Sequence, residues 1–258
     1  MARANRYFLP GYVWHITHRC HKKEFLLKFA KDRQRWLVWL FEAKKRFRLD
    51  VLNYTVTSNH IHLLASANDN QTIAKSMQLI AGRTAQEYNN RKQRHGAFWE
   101  DRYHATAVES GEHLARCLVY IDLNMVRTGG VIRHPSEWKH SGYLEIQAPP
   151  NRYAIINRIK LRELLTIGSD QTLIDSHRKW VEDALKAKDT QRKSYWTENL
   201  AVGGRDYVYQ VKEAMGVKAH KRQVVGDELG YAIKEPLGAY HSVFDAEMDG
   251  LSPRNRVF

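Results

Sequence analysis

The chain has 258 residues, 43% hydrophobic and 11% aromatic, which suits one large domain or a compact domain with an addition and excludes a disordered protein. Lys and Arg number 41 against 28 Asp and Glu, a net charge of +13 and a pI near 9.7, which points to a polyanionic partner, although excess charge also serves solubility. Two cysteines, Cys20 and Cys117, exclude a disulfide scaffold. With no signal-like start and no apolar run long enough to cross a bilayer, a cytoplasmic protein with no membrane partner is expected. The charge is concentrated early, with 13 basic side chains against 4 acidic ones in the first fifty residues.

From Tyr12 to His18 the alternation of Tyr12, Trp14 and Ile16 predicts a half-buried strand. Asp32 to Phe47 carries Trp36, Leu40, Ala43 and Phe47 at helical spacing. Leu49 to Val56 alternates again, and after the turn Thr57-Ser58-Asn59 the segment His60 to Ala65 predicts another strand. A helix over Thr72 to Arg91 follows, then an extended stretch from Phe98 to Val108. Ser110 is a candidate N-cap for a helix from Gly111 to Arg127, stopped by Gly129 and Gly130. This order predicts an α+β, ferredoxin-like (split βαβ) antiparallel sheet with helices on one face, elaborated by one more helix. Beyond Pro149-Pro150 helical stretches fall around Leu161–Thr166, Leu173–Lys188 and Asp206–Met215. The expected organisation is a catalytic domain over 1–148 and a mainly helical C-terminal region of unknown role over 149–258.

On a strand, His60 and His62 share one face while Ile61 and Leu63 share the other. Such a pair either chelates one metal ion or is a polar pair on the wet side of a sheet. On the helix from Gly111, the residues Leu114, Leu118, Ile121 and Met125 mark a core side, opposite a polar face of His113, Arg116, Tyr120, Asn124 and Arg127. Tyr120 and Asn124 are neighbours at i and i+4. A phenol beside arginines suits attack on a phosphodiester if a metal polarises the phosphate oxygens, with the Asn124 amide oxygen as a third ligand. A tyrosine on a helix surface is equally compatible with amphipathic packing.

The strings Ser58-Asn59-His60-Ile61-His62-Leu63-Leu64, Gly96-Ala97-Phe98-Trp99-Glu100-Asp101-Arg102-Tyr103 and Tyr120-Ile121-Asp122-Leu123-Asn124-Met125-Val126-Arg127 resemble the single-tyrosine HUH transposases, especially the REP-associated tyrosine transposase branch, over about residues 1–145. The resemblance implies Mg²⁺ or Mn²⁺ on His60, His62 and Asn124, with Tyr120 as nucleophile toward single-stranded or hairpin DNA. It further implies a 5′-phosphotyrosine intermediate, no nucleotide cofactor, a monomer or homodimer, and a bacterial protein associated with the nucleoid when bound to DNA. Two departures bear on loop geometry: Thr57-Ser58-Asn59 replaces the usual Met-Pro-Asn, and Asn124-Met125 the usual Asn-Pro. Trp196-Thr197-Glu198, Ala201-Val202-Gly203 and Arg205 look like extensions carried by some members. The rival expectation is a nucleic-acid-binding regulator that kept this fold without catalysis.

For DNA contacts the candidates are Arg3, Arg6, Arg19, Lys22 and Lys23 on phosphates, with Arg116 and Arg127 beside the tyrosine. Trp99, Arg102 and Tyr103 either grip unpaired bases or form a packing cluster at the sheet edge. Lys44, Lys45, Arg46 and Arg48 fit a solvated helix end, whereas Lys218, His220, Lys221 and Arg222 form a patch that either contacts hairpin DNA or has no specific role. His15, His18, Cys20 and His21 crowd together, but four ligands within one strand and turn do not make a tetrahedron, so zinc is not assigned to them. Imidazole ligation predicts that activity falls on acidification, because the ligands must be neutral.

Overall fold

The computed structural model describes residues 8–128 and 131–234, so Arg3, Arg6, Gly129 and Gly130 lie outside the described residues. The first part of the chain forms β1 (Val13–Arg19), α1 (Ala30–Phe47), β2 (Asp50–Val56), β3 (His60–Ser66), α2 (Thr72–Lys92), β4 (His104–Val108), α3 (Glu112–Asp122) and α4 (Asn124–Arg127). The second forms α5 (Tyr143–Gln147), α6 (Arg158–Leu165), α7 (Asp170–Lys186), β5 (Asn199–Gly203), α8 (Arg205–Met215), β6 (Val224–Asp227) and β7 (Gly230–Lys234). In the first part the strands lie in the order β2-β3-β1-β4 with antiparallel neighbours, the split βαβ arrangement expected from the element order. Beyond β4 the same sheet continues through β5, parallel to β4, and then β7 and β6, giving a mixed seven-stranded α+β sheet.

Strand alternation sends Ile61 and Leu63 to the face covered by α1 and α2, which pack on each other. The additional helix α3 lies on the opposite face, where Asn53 Nδ2 and Thr55 Oγ1 donate to the carbonyls of Leu118 and Ile121 at 3.5 and 3.1 Å. Its residues Leu114, Leu118 and Ile121 are fully buried, each stabilising by about 1.5–3 kcal/mol. Tyr120 and Asn124, on the face expected to be polar, are buried as well. With α7 on one side and the sheet on the other, α3 is left open along the stripe of Glu112, Ala115, Arg116 and Val119.

Four local expectations are corrected. Gly111, not Ser110, precedes α3, in a conformation (φ 72°, ψ −127°) that L side chains adopt only with strain. The single helix from Gly111 to Arg127 is broken at Leu123 (φ −76°, ψ 2°) into α3 and α4. The ladder of β4 begins only at His104, because Trp99 makes an isolated bridge with Cys20 and lays its ring on His18 instead of continuing the strand. The helices expected beyond residue 150 form as α6, α7 and α8, capped at α6 and α7 by the side chains of Asn157 and Ser169, but three strands accompany them. The β6–β7 hairpin turns on Asp227, whose Oδ1 accepts from the amides of Leu229 and Gly230 at 2.8 and 3.2 Å.

Candidate active site

Each of the first four strands carries a polar-apolar-polar triplet: His15-Ile16-Thr17, Asn53-Tyr54-Thr55, His60-Ile61-His62 and His104-Ala105-Thr106. The register sets His104, Thr17, His62 and Thr55 directly opposite one another across neighbouring strands. The polar members of the triplets are buried on the α3 side of the sheet. A buried polar band needs internal partners, and α3 with its continuation supplies several of them.

His60, His62, Tyr120 and Asn124 come together there. Asn124 Nδ2 lies 2.9 Å from His62 Nε2, the rings of His60 and His62 are 5.1 Å apart edge to face, and the Tyr120 ring stands 6.0 Å from that of His62. Asn124 Oδ1 is buried with no hydrogen-bond partner among protein atoms. Two imidazoles and an unpartnered amide oxygen form a donor set suited to a divalent cation, with further coordination positions left for substrate oxygens. Among the described residues no three His, Cys, Asp or Glu side chains gather in a metal-binding group, so a cation held by His60 and His62 would draw on the amide for a third protein ligand.

Both histidines are oriented from behind. Asn59 Oδ1 accepts from His60 Nδ1 at 2.8 Å. Thr57 Oγ1 accepts from the His60 amide at 3.0 Å and the Asn59 amide at 3.3 Å, so a hydroxyl organises the turn that departs from the Met-Pro-Asn pattern. His62 Nδ1 is 2.8 Å from His15 Nε2, and His15 Nδ1 donates to the Trp196 carbonyl at 2.9 Å. The end of α3 is held by Asp122: Asn53 Nδ2 donates to its Oδ1 at 3.0 Å, and His177 Nε2 of α7 lies 2.7 Å from its Oδ2.

Burial dominates the electrostatics. It lowers His15 to about 4 against the opposing pull of the Trp196 carbonyl, and it lowers His62 well below its usual 6.5, helped by the neighbouring imidazoles and Arg127, so both rings are neutral near pH 7. The Tyr120 phenol is raised by burial, while Arg127 and Arg192 favour its anion. Arg127 stacks its guanidinium 4.1 Å from the Tyr120 ring centroid and donates from Nη2 to the Tyr120 carbonyl at 2.6 Å. A cavity of about 520 Å³ opens beside Tyr120, bordered by Arg116, Arg127, Trp180, Lys193 and Trp196.

The other sequence candidates are scattered. Arg19 is buried, 3.9 Å from Glu100, while Lys22 and Lys23 sit in a short turn with left-handed backbones. Trp99 donates from Nε1 to the Ala81 carbonyl and stacks on His18 at 4.1 Å, and Tyr103 stacks on Phe8 at 6.2 Å. Arg102 is partly exposed beside them. Arg116 pairs with Glu112 on the same helix. His15 is 2.8 Å from His62, whereas His18 turns to the Asp101 carbonyl, so the crowded histidines of β1 do not share a centre. His15, Arg192 and Trp196 were not singled out as site residues by sequence reasoning, although the recurring polar triplets were a signal for the first.

Residues 10–124 match the family model of IS200-like transposases. This segment is similar to that family. The matched segment contains His15, His60, His62 and Tyr120 and ends on Asn124, whereas Arg127, Arg192 and Trp196 come from the chain beyond it. A REP-associated tyrosine transposase bound to a REP hairpin is 17% identical, with 58% of this chain and 87% of that one covered at a TM-score of 0.48. A transposase described as putative from Deinococcus radiodurans R1 is also 17% identical, covering 46% of this chain and 95% of that one at a TM-score of 0.33. No curated protein matches the chain.

Proposed function

We propose that this protein nicks and rejoins single-stranded DNA, with hairpin-forming repeats as substrate and Tyr120 as nucleophile. The reading is carried by one observation: the Tyr120 phenol, the His60–His62 pair and the unpartnered Asn124 oxygen share one buried centre within the matched segment. His60, His62 and Asn124 would hold Mg²⁺ or Mn²⁺, which supplies Lewis-acid polarisation of the phosphate oxygens when bound. The strand enters along the cavity beside Tyr120, where Arg116, Arg127 and Lys193 offer positive charge.

Tyr120 Oη attacks phosphorus, the P–O3′ bond breaks, and the phenol proton ends on the departing 3′ oxygen. The products are a 5′-phosphotyrosine and a free 3′-hydroxyl, with no change in the number of phosphoester bonds, so the step reverses on another 3′ end without ATP. Arg127 and Arg192 favour the phenolate that burial disfavours, and so lower the cost of the attacking form.

An oligonucleotide carrying the cognate hairpin and labelled at its 3′ end is expected to become covalently attached to the protein with Mg²⁺ or Mn²⁺, while a 5′ label is released. Tyr120→Phe abolishes the adduct, a loss of at least about 10³-fold in rate. An adduct that persists in Tyr120→Phe would remove Tyr120 as the nucleophile.

A further inference from the structure

His15 lies outside the proposed donor set, yet it is wholly buried and bonded at both ring nitrogens. Its ring is nearly parallel to that of His62, with centroids 5.0 Å apart and planes 14° from each other. Its Nδ1 faces the Trp196 carbonyl oxygen at 2.9 Å. A carbonyl only accepts, so His15 Nδ1 carries a hydrogen. The 2.8 Å line from His15 Nε2 to His62 Nδ1 holds one hydrogen. Asn124 Nδ2 lies 2.9 Å from His62 Nε2, and an amide nitrogen only donates, so Nε2 accepts with its lone pair. An imidazole with a bare Nε2 carries its hydrogen on Nδ1, so the hydrogen on the line to His15 belongs to His62.

We infer that His15, anchored by the backbone carbonyl of Trp196, is a positioning residue that fixes His62 in the tautomer whose Nε2 lone pair faces Asn124 and the proposed cation site. This rests on the reading of His60, His62 and Asn124 as the donor set. A ligand imidazole whose other nitrogen donates to a fixed acceptor is held in orientation and made more basic. His60 obtains this from its chain neighbour Asn59, whereas for His62 the acceptor is another imidazole, itself set by a residue 181 positions further along the chain. The C-terminal region thus reaches the centre through one backbone oxygen, and no ring has to change its protonation state for the relay to hold.

The test uses the full-length protein. Long-range ¹H–¹⁵N spectra of the imidazoles in EDTA are expected to show His62 protonated at Nδ1 and bare at Nε2. The opposite tautomer overturns the proposal, and this measurement needs no variant. Calorimetric titration with Mn²⁺ alone is expected to show affinity weakened about 10- to 100-fold in His15→Phe and partly restored in His15→Gln, whose side-chain oxygen can accept from His62. His62→Ala serves as the reference and is expected to weaken Mn²⁺ binding at least as much. If His15→Phe binds Mn²⁺ as the wild type does while His62→Ala does not, the proposal alone is overturned. If His62→Ala also binds normally, the cation reading fails and the proposal falls with it.

Discussion

Residues 10–124 and residues 131–234 contribute different kinds of group to the same centre. The first supplies the side chains of the proposed chemistry, His60, His62, Tyr120 and Asn124, at short spacings on β3 and on α3 with its continuation. The second supplies surroundings: the Trp196 carbonyl on His15, the Arg192 charge on Tyr120, and His177 on Asp122. Chemistry of this sort needs fixed residue types and leaves a motif. An environment can be built from a backbone oxygen or a helix at any distance along the chain, and leaves none.

The same contrast decides how much the sequence made legible. The alternation around His60-Ile61-His62 and the helical spacing of Leu114, Leu118 and Ile121 report local geometry, and both are found as expected in β3 and α3. The order of elements was sufficient for the four-stranded core. The break at Leu123 was not visible, because it coincides with a tertiary clamp: Asp122 is held by Asn53 on β2 and His177 on α7. Burial of Tyr120 was missed for a related reason, since α7 and Trp196 cover a helix face that periodicity marks as polar. Strands β5 to β7 are only four or five residues long, too short for alternation to distinguish them from linker. The helix expected around Asp206–Met215 forms as α8, between two of those strands.

The contrast breaks most visibly if the second region proves dispensable to the first. His177→Ala removes the partner of a fully buried carboxylate on the helix that carries Tyr120. Leaving a buried carboxylate oxygen without its hydrogen-bond donor costs about 1.5–3 kcal/mol, which urea unfolding measures directly. A loss below about 1 kcal/mol would mean that α7 merely lies against α3. Replacing both partners in Asp122→Leu/His177→Leu is expected to recover much of that stability without restoring the proposed nicking, because the end of α3 loses its attachment to β2 as well.

A smaller effect separates burial from chemistry. His140, outside the centre, is lowered to about 4 by burial and then by the Arg33 charge, with Arg33 Nε donating to its Nδ1 at 3.3 Å. Lys139 adds to the repulsion of a proton there. In the unfolded chain this imidazole takes up its proton near 6.5, so between 6.5 and about 4 the unfolded state binds more protons than the folded one. The stability associated with His140 is therefore complete above pH 6.5, falls as pH drops toward 4, and is level below. The slope is at most about 1.4 kcal/mol per pH unit, and less because the ring is half-buried. His140→Gln, which retains an acceptor for Arg33, should flatten the curve measured in EDTA, and an unchanged curve would assign the acid sensitivity elsewhere.

The smallest effect is expected where both partners belong to the first region and lie on its surface. Arg35 and Glu87 join α1 to α2 through two contacts of 2.8 and 2.6 Å, geometry at least as good as that of the Asp122–His177 pair, but with side chains 44% and 35% exposed. A double-mutant cycle on Arg35→Ala and Glu87→Ala should give a coupling of about 0.2–1 kcal/mol that shrinks in high salt. Both pairs link helices or strands distant in sequence, so topology does not distinguish them. If the surface pair couples as strongly as the buried one, depth in the protein is not what gives the contacts from the second region their weight, and the covering of α3 would have to act through packing alone.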